Sequence, residues 1–130
     1  MTDSMTFRSD CPVASALDLV GDRWTLVIVR DMIFGAATFG DFARGAERIP
    51  RNILANRLRR MTVAGLVRQE KYQARPDRFR YLLTAKGADL LPVVQALSLW
   101  SAAHLGHVYP PPDALLQAQP ADLMPGKPDA

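Results

Sequence analysis

One segment near the middle of the chain reads Ile49-Pro50-Arg51-Asn52-Ile53-Leu54-Ala55-Asn56-Arg57-Leu58-Arg59-Arg60-Met61. Its apolar residues recur every three or four positions, which is the period of an α-helix that buries one face. The buried face would consist of Leu54, Leu58 and Met61. The other side would carry Asn52, Ala55, Asn56 and Arg59. The segment therefore predicts a basic amphipathic helix that presents polar side chains away from the core.

Three shorter helices are predicted before this one. The first starts at Pro12 and stops at Gly21, because proline fits the first helical turn and glycine favours helix ends. Its apolar face is formed by Val13, Ala16, Leu17 and Val20. The second runs from Arg23 or Trp24 to Ile33, and its inward residues are Trp24, Val27, Ile28 and Met32. The third lies between Thr38 and Arg44, with Thr38 as its N-cap. A short helix followed by a basic amphipathic helix is typical of a helix-turn-helix.

A β-hairpin is predicted after the basic helix. Residues 67–72 and 78–83 have the composition of strands, and the second alternates clearly between polar and apolar side chains. The loop between them contains Pro76-Asp77, a turn signal. The predicted fold is therefore mainly α with a small β-hairpin (α+β), and the order of elements is that of a winged helix-turn-helix.

A long last helix is predicted from its N-cap Thr84 to about His104. Pro92 should kink this helix or delay its regular start. Its apolar seam has a/d-like spacing and comprises Leu90, Val93, Leu97 and Trp100. We divide the chain into an N-terminal arm (1–10), a winged-helix domain with helices for dimerisation (11–107) and a proline-rich tail (108–130). The tail is predicted to be mobile and to lack regular structure.

Positive charge is concentrated in one third of the chain. The 130 residues carry a net charge of +3, but residues 44–86 hold 12 basic and 3 acidic side chains, while residues 1–43 and 87–130 are each net −3. Such a distribution favours a polyanionic partner, although a merely solvated basic surface is the alternative.

Composition excludes several other classes of function. A single cysteine, Cys11, leaves no intramolecular disulfide framework and no cysteine cluster for zinc or iron–sulfur. The two histidines, His104 and His107, provide little material for a catalytic triad and two metal ligands at most. We therefore expect no enzyme, no cofactor and no metal site. Without an apolar run of about 18 residues or a secretory signal, the expected location is the cytoplasm, at the nucleoid, and no membrane partner is expected.

In its order of motifs the chain resembles the HxlR-type family of bacterial winged-helix transcription regulators. The resemblance is carried by Cys11-Pro12, residues 16–26, Arg30-Asp31, Phe39-Gly40-Asp41-Phe42, Ile49-Pro50, Leu54, Arg57-Leu58-Arg59, Ala64-Gly65-Leu66-Val67, Tyr81-Leu82-Leu83-Thr84 and Gly87. It implies a homodimer that binds a pseudo-palindromic operator and represses or activates nearby genes. One departure is Arg80, which stands where the family's wing usually has an acid, so the wing should hold DNA more tightly or pack differently.

The DNA-binding residues are expected on the basic helix and on the wing. Phosphate neutralisation needs arginines along one face, and the candidates are Arg51, Arg59, Arg60, Arg75 and Arg78. Base reading needs short polar side chains on the exposed face, so Asn52 and Asn56 are expected at adenine edges and Ala55 at a thymine methyl. Arg57 lies nearer the buried side, about 60° from Leu54 around the helix. Its position is compatible with either a phosphate contact or an internal ion pair.

An effector response is a further hypothesis. Cys11 precedes a helix start, where the helix dipole favours a thiolate; Arg8 would add to this effect and Asp10 would oppose it. Some members of the resembling family sense oxidants or electrophiles through this cysteine, although an inert thiol is the commoner case. Three aromatic residues, Trp24, Phe34 and Trp100, would either line a small-molecule pocket or simply belong to the core.

The apolar seam of the last helix, together with the first helix, is predicted to form the dimer interface. Exposed in a monomer, such a surface would be a patch of the kind that marks an interface. The leading function is thus a dimeric regulator that binds double-stranded DNA. The alternatives are a winged-helix protein-interaction module without DNA readout and, less favoured, a small enzyme.

Overall fold

The structure, a computed structural model, describes residues 6–124. Its first three helices are α1 (Pro12–Val20), α2 (Thr25–Ile33) and α3 (Phe39–Ala43). The predicted N-cap Thr38 is confirmed. Its hydroxyl accepts a hydrogen bond from the Asp41 backbone N–H (3.1 Å), and the Asp41 carboxylate accepts one from the Thr38 N–H (3.0 Å). This reciprocal capping box satisfies two N–H groups that the helix itself leaves without partners.

The basic segment forms helix α4 (Arg51–Val63), which starts directly after Pro50. Leu54, Leu58 and Met61 are its buried residues, as the periodicity predicted. The turn between α3 and α4 includes Ile49, which is also buried. Helix α4 is therefore fixed along one side by the core, and its polar side is left available.

Strands β1 (Val67–Gln73) and β2 (Arg78–Leu83) form the predicted antiparallel hairpin, with Val67 opposite Leu83. These two residues are buried at the base of the hairpin, whereas its tip is exposed. The Tyr81 N–H also donates to the Ala37 carbonyl at 2.7 Å, which links β2 to the start of α3. The wing is thus tied to the helix-turn-helix at its base and projects into solvent at its tip.

Two expectations for the first helices need correction. On α1 only Val20 is buried, while Val13 and Leu17 of the same apolar face are exposed. On α2, Ile28 and Met32 are buried as expected, but Trp24 and Val27 are only half-buried. The fully buried Val29 was not predicted. The buried residues of α2 are Thr25, Ile28, Val29 and Met32, which form one stripe at helical spacing. The stripe is therefore rotated around the helix from the predicted one, which had included Trp24 and Val27.

The single long helix predicted after Thr84 is two helices, α5 (Ala85–Ala88) and α6 (Leu91–His104). Thr84 caps α5, since its hydroxyl accepts from the Gly87 N–H at 3.1 Å. A Cβ at Gly87 would lie 2.0 Å from the Leu66 carbonyl oxygen, so the close approach of α5 to the turn between α4 and β1 requires glycine here. Pro92 lies in the first turn of α6, where its missing N–H costs nothing, and so the predicted delayed start is confirmed.

The prediction of an irregular tail is wrong for the part that the structure describes. Helix α7 (Asp113–Gln117) and a 3-10 helix (Pro120–Leu123) follow α6. Leu115 is buried, and the Gln95 side-chain amide donates to the carbonyls of Leu115 (2.9 Å) and Ala118 (3.1 Å). Prolines occur here at helix starts, which they favour. Residues 1–5 of the arm and 125–130 of the tail lie outside the described residues.

Candidate nucleic-acid interface

The polar side of α4 presents most of the residues predicted to bind DNA. Arg51, Asn52, Arg59 and Arg60 are exposed, and Ala55 and Asn56 are half-buried. Ala55 and Arg59 also line a cavity of about 360 Å³ between α4 and the hairpin. The structure therefore brings the polar side of α4 next to the hairpin.

Five arginines of this surface keep an uncompensated positive charge. Within residues 6–124, no carboxylate lies within ion-pair distance of these side chains, which are Arg51, Arg59, Arg60, Arg75 and Arg78. Arg51 stacks over the ring of Phe39, with its guanidinium carbon 5.6 Å from the ring centroid. Cationic side chains without carboxylate partners along one face are what phosphate neutralisation requires.

Other arginines of the basic third are paired within the protein. Arg44 bonds to Asp41 at 3.0 Å, and Arg80 lies 3.6 Å from Glu70, a distance for ion pairing but not for a hydrogen bond. The Arg80 guanidinium also stacks over Tyr72 at 5.0 Å. The sequence left open whether Arg80 makes the wing hold DNA more tightly or makes it pack differently. In the structure, the Arg80 side chain packs on the wing itself.

Arg57, one of the predicted DNA contacts, is paired within the protein. Its Nε donates to the Asp22 carboxylate at 2.8 Å, and both side chains are about four-fifths buried. Of the two roles left open by the sequence, the internal ion pair is therefore the one observed. It joins the turn before α2 to the middle of α4. The sequence signal for this role was the position of Arg57 on the helical wheel, next to the buried Leu54.

Asp22 is the centre of a dense set of hydrogen bonds. Its carboxylate accepts from the backbone N–H groups of Trp24 (3.0 Å) and Thr25 (3.1 Å) and from the Thr25 hydroxyl (2.5 Å), as well as from Arg57. Burial alone would raise the pKa of Asp22. The hydrogen bonds from Thr25, Arg57 and the backbone outweigh burial and lower this pKa to about 2.

A second ion-pair cluster, which sequence reasoning missed, supports the loop before α4. Arg30 donates to both carboxylate oxygens of Glu47, at 2.8 and 2.6 Å, and to Asp31 at 2.7 Å. The hydrogen bond to Glu47 raises the pKa of Arg30 and burial opposes it. Glu47 is one of only three acidic residues in the basic segment 44–86. This scarcity was the one sequence feature that could have indicated an ion pair at Glu47. The cluster ties α2 to the loop from which α4 starts.

Cys11 is exposed and occupies the N-cap position of α1. Its backbone N–H donates to the Ser9 hydroxyl at 3.1 Å. Arg8, expected to support a thiolate, instead forms an ion pair with Asp18 at 2.6 Å. The thiol is therefore accessible, and the Arg8 guanidinium is paired with the Asp18 carboxylate.

The predicted dimer residues divide into two groups. Val93, Leu97 and Trp100 are exposed on α6, whereas Leu90 packs against the core and does not belong to the exposed patch. Val13 and Leu17 expose further apolar surface on α1. The apolar patch, defined here as Val93, Leu97 and Trp100, is thus smaller than predicted.

The three aromatic residues suggested for an effector pocket are not brought together. Phe34 lines a cavity of about 530 Å³ between α2, α6 and residues 107–115, but Trp24 and Trp100 do not. Trp100 packs beside His104, with ring centroids 5.1 Å apart. In the described part of the chain, no three His, Cys, Asp or Glu side chains cluster as metal ligands, and no helix is long and apolar enough to cross a membrane.

A short helix, a turn, a basic helix with an outward polar face and a basic hairpin together define a winged helix-turn-helix, a class of DNA-binding domain. Residues 19–109 match the HxlR-like helix-turn-helix family. The chain belongs to this family of helix-turn-helix transcription regulators.

Individual relatives agree with this classification. An HTH-type transcriptional regulator of Mycobacterium bovis is 41% identical over 100 residues, which cover 77% of this chain and 63% of the relative. Two solved structures are similar. PA1607, a candidate transcription factor, has a TM-score of 0.69 and 30% identity, covering 91% of this chain and 89% of that chain. The reduced form of the redox regulator HypR has a TM-score of 0.68 and 30% identity, covering 74% of this chain and 95% of that chain.

Proposed function

We propose that this protein is a sequence-specific DNA-binding transcription regulator that acts as a homodimer on a pseudo-palindromic operator. The observation that carries the proposal is the set of arginines on α4 and the wing that have no carboxylate partner among residues 6–124, next to arginines that are paired internally. If the basic surface were merely solvated, there would be no reason for the arginines of α4 and the wing tip to lack carboxylate partners while neighbouring arginines have them. Such a regulator works where chromosomal DNA is, in the cytoplasm and at the nucleoid.

In this proposal α4 lies in the major groove. Asn52, Ala55 and Asn56 face the base edges, because they occupy the side of α4 opposite its buried leucines. Arg51, Arg59 and Arg60 flank them and contact phosphates. Arg75 and Arg78 hold the backbone from the exposed wing. Phosphate contacts fix the register, and base contacts supply the sequence preference.

Replacing Arg75 and Arg78 by alanine is expected to weaken binding to all DNA sequences to a similar extent. Each lost phosphate contact should reduce the slope of log affinity against log salt by about 1. Fluorescence anisotropy with specific and unrelated duplexes over a salt series measures both quantities. Arg68→Ala is the matched control, since Arg68 lies on the wing but 3.8 Å from Glu70. An unchanged slope in the double variant would exclude the wing from DNA contact.

The homodimer is proposed to form through α6, with α1 beside it. One winged-helix unit reaches one segment of major groove, so a symmetric operator needs two units about one helical turn apart. The apolar patch on α6 and the exposed Val13 and Leu17 on α1 supply surface that a C2 dimer would bury. The DNA-facing side of the molecule is too polar to serve this purpose.

We further propose that oxidation of Cys11 regulates DNA binding. The thiol is exposed at the start of α1, beside the proposed dimer surface, and the similar protein HypR is a redox regulator. Two Cys11 thiols would lose two protons and two electrons to one peroxide, which gives one intermolecular disulfide and two water molecules. A mixed disulfide with a small thiol is the other product that a single cysteine permits.

Mild peroxide or diamide is therefore expected to change the operator affinity of the wild type but not that of Cys11→Ser. Anisotropy before and after treatment, with reversal by dithiothreitol, measures the effect. Non-reducing electrophoresis separates the intermolecular disulfide from a mixed disulfide. An equal response of both proteins would remove Cys11 from the mechanism.

A further inference from the structure

Arg57 contacts the reading face of α4 as well as Asp22. Its Nη1 donates to the Asn56 side-chain oxygen Oδ1 at 2.5 Å, while its Nε is held by Asp22 at 2.8 Å. Asp22 is itself anchored by backbone N–H groups at the start of α2. A continuous hydrogen-bond network therefore runs from the start of α2 to the outward side of α4. It holds the Arg57 guanidinium through both its Nε and its Nη1.

The network changes what Asn56 can offer to a ligand. An asparagine side chain carries one acceptor oxygen and one amino group with two donors. The oxygen of Asn56 is engaged by a charged donor, and within the described part of the chain its Nδ2 has no hydrogen-bond partner. The group that Asn56 has free is therefore a donor.

We infer that Asn56 reads its base as a donor only and selects guanine rather than adenine. This inference rests on the proposed function. Bidentate recognition of adenine needs the asparagine oxygen to accept from N6 while the amide donates to N7. Here the adenine amino hydrogens would approach an oxygen that already faces a guanidinium cation. Guanine instead presents two adjacent acceptors, N7 and O6, to the free amino group. Arg57 is accordingly a positioning residue, which sets the specificity of Asn56 without touching DNA.

The test is selection of binding sites from a randomised duplex library with the full-length protein. Asn56→Ala identifies the base position that Asn56 reads, because the preference at that position alone should fall, by about 5- to 150-fold. The wild type is expected to select guanine there. Arg57→Met removes the clamp and should let adenine bind at that position, with the other positions unchanged. Arg59→Met is the control, because Arg59 is an exposed arginine of the same helix.

The outcomes separate this inference from the proposed function. If the wild type enriches no sequence, the proposed function fails. If it enriches a site in which the position read by Asn56 is not guanine, or in which Asn56→Ala alters no position, only the inference on Asn56 fails. Uniform weakening by Arg57→Met, as expected for Arg59→Met, would make Arg57 a phosphate contact. Should Arg57→Met not fold, as judged by circular dichroism, the wild type and Asn56→Ala still decide between guanine and adenine.

Discussion

Replacing Leu97 by aspartate is expected to give a folded monomer that no longer binds its operator tightly. Leu97 is 51% exposed in the single chain, between Val93 and Trp100 of the apolar patch. A carboxylate at the centre of a buried C2 interface would occur twice, near its own symmetry mate, and would be desolvated without a partner. Burial of the leucine and its neighbours, at about 25 cal/mol per Å², would be lost at the same time.

The loss of operator affinity follows from the loss of the dimer. A dimer binds its second half-site at a high effective concentration, which raises affinity by about 10²–10⁴-fold over one unit. Light scattering and anisotropy should therefore change together in Leu97→Asp. Leu99→Asp is the control, because Leu99 is also 51% exposed but lies about 160° away around α6. If Leu97→Asp is folded and still dimeric, the interface lies elsewhere.

Asp22→Asn is expected to lower the free energy of unfolding by about 2 kcal/mol at neutral pH, because the pKa of Asp22 is lowered from its ordinary value to about 2. The neutral amide can still accept hydrogen bonds from the N–H groups at the start of α2, but it lacks the charge that Arg57 and these groups stabilise. The folded pKa lies below the unfolded one, so the ionised carboxylate stabilises the fold above about pH 4. That contribution is lost as the pH falls towards 2.

The measurement is urea unfolding of wild type and Asp22→Asn between pH 7 and pH 2. The difference between the two proteins should be constant near neutral pH and shrink below about pH 4. Asp77→Asn is the control, since Asp77 is exposed on the wing and lies 3.3 Å from Lys71. Its effect should stay within about 1 kcal/mol. A difference for Asp22→Asn that does not change with pH would contradict the assigned pKa.

The parts of the fold that sequence predicted well are those set by local interactions. The spacing of Leu54, Leu58 and Met61 predicted α4 because a helical period needs no knowledge of the rest of the chain. Thr38 was predicted as a cap for the same reason, since its partner Asp41 is three residues away. The winged helix-turn-helix then followed from the order of such elements.

The parts that sequence missed depend on contacts between distant residues. The pairing of Arg57 with Asp22 spans 35 positions, and the wheel position of Arg57 alone left two roles open. The proline-rich tail was predicted to be irregular from its composition. The structure instead packs Leu115 into the core and holds its carbonyl with Gln95, contacts that composition does not encode.

The most direct test of the account is a titration of the purified protein against its own upstream intergenic DNA at two salt concentrations, with unrelated competitor DNA present. A sequence-specific regulator should bind saturably, and the complex should survive competitor at the higher salt, where non-specific phosphate contacts are weakened. Equal affinity for upstream and unrelated DNA, or binding that the competitor abolishes, would contradict sequence-specific regulation. That result would favour a winged-helix module that contacts other proteins.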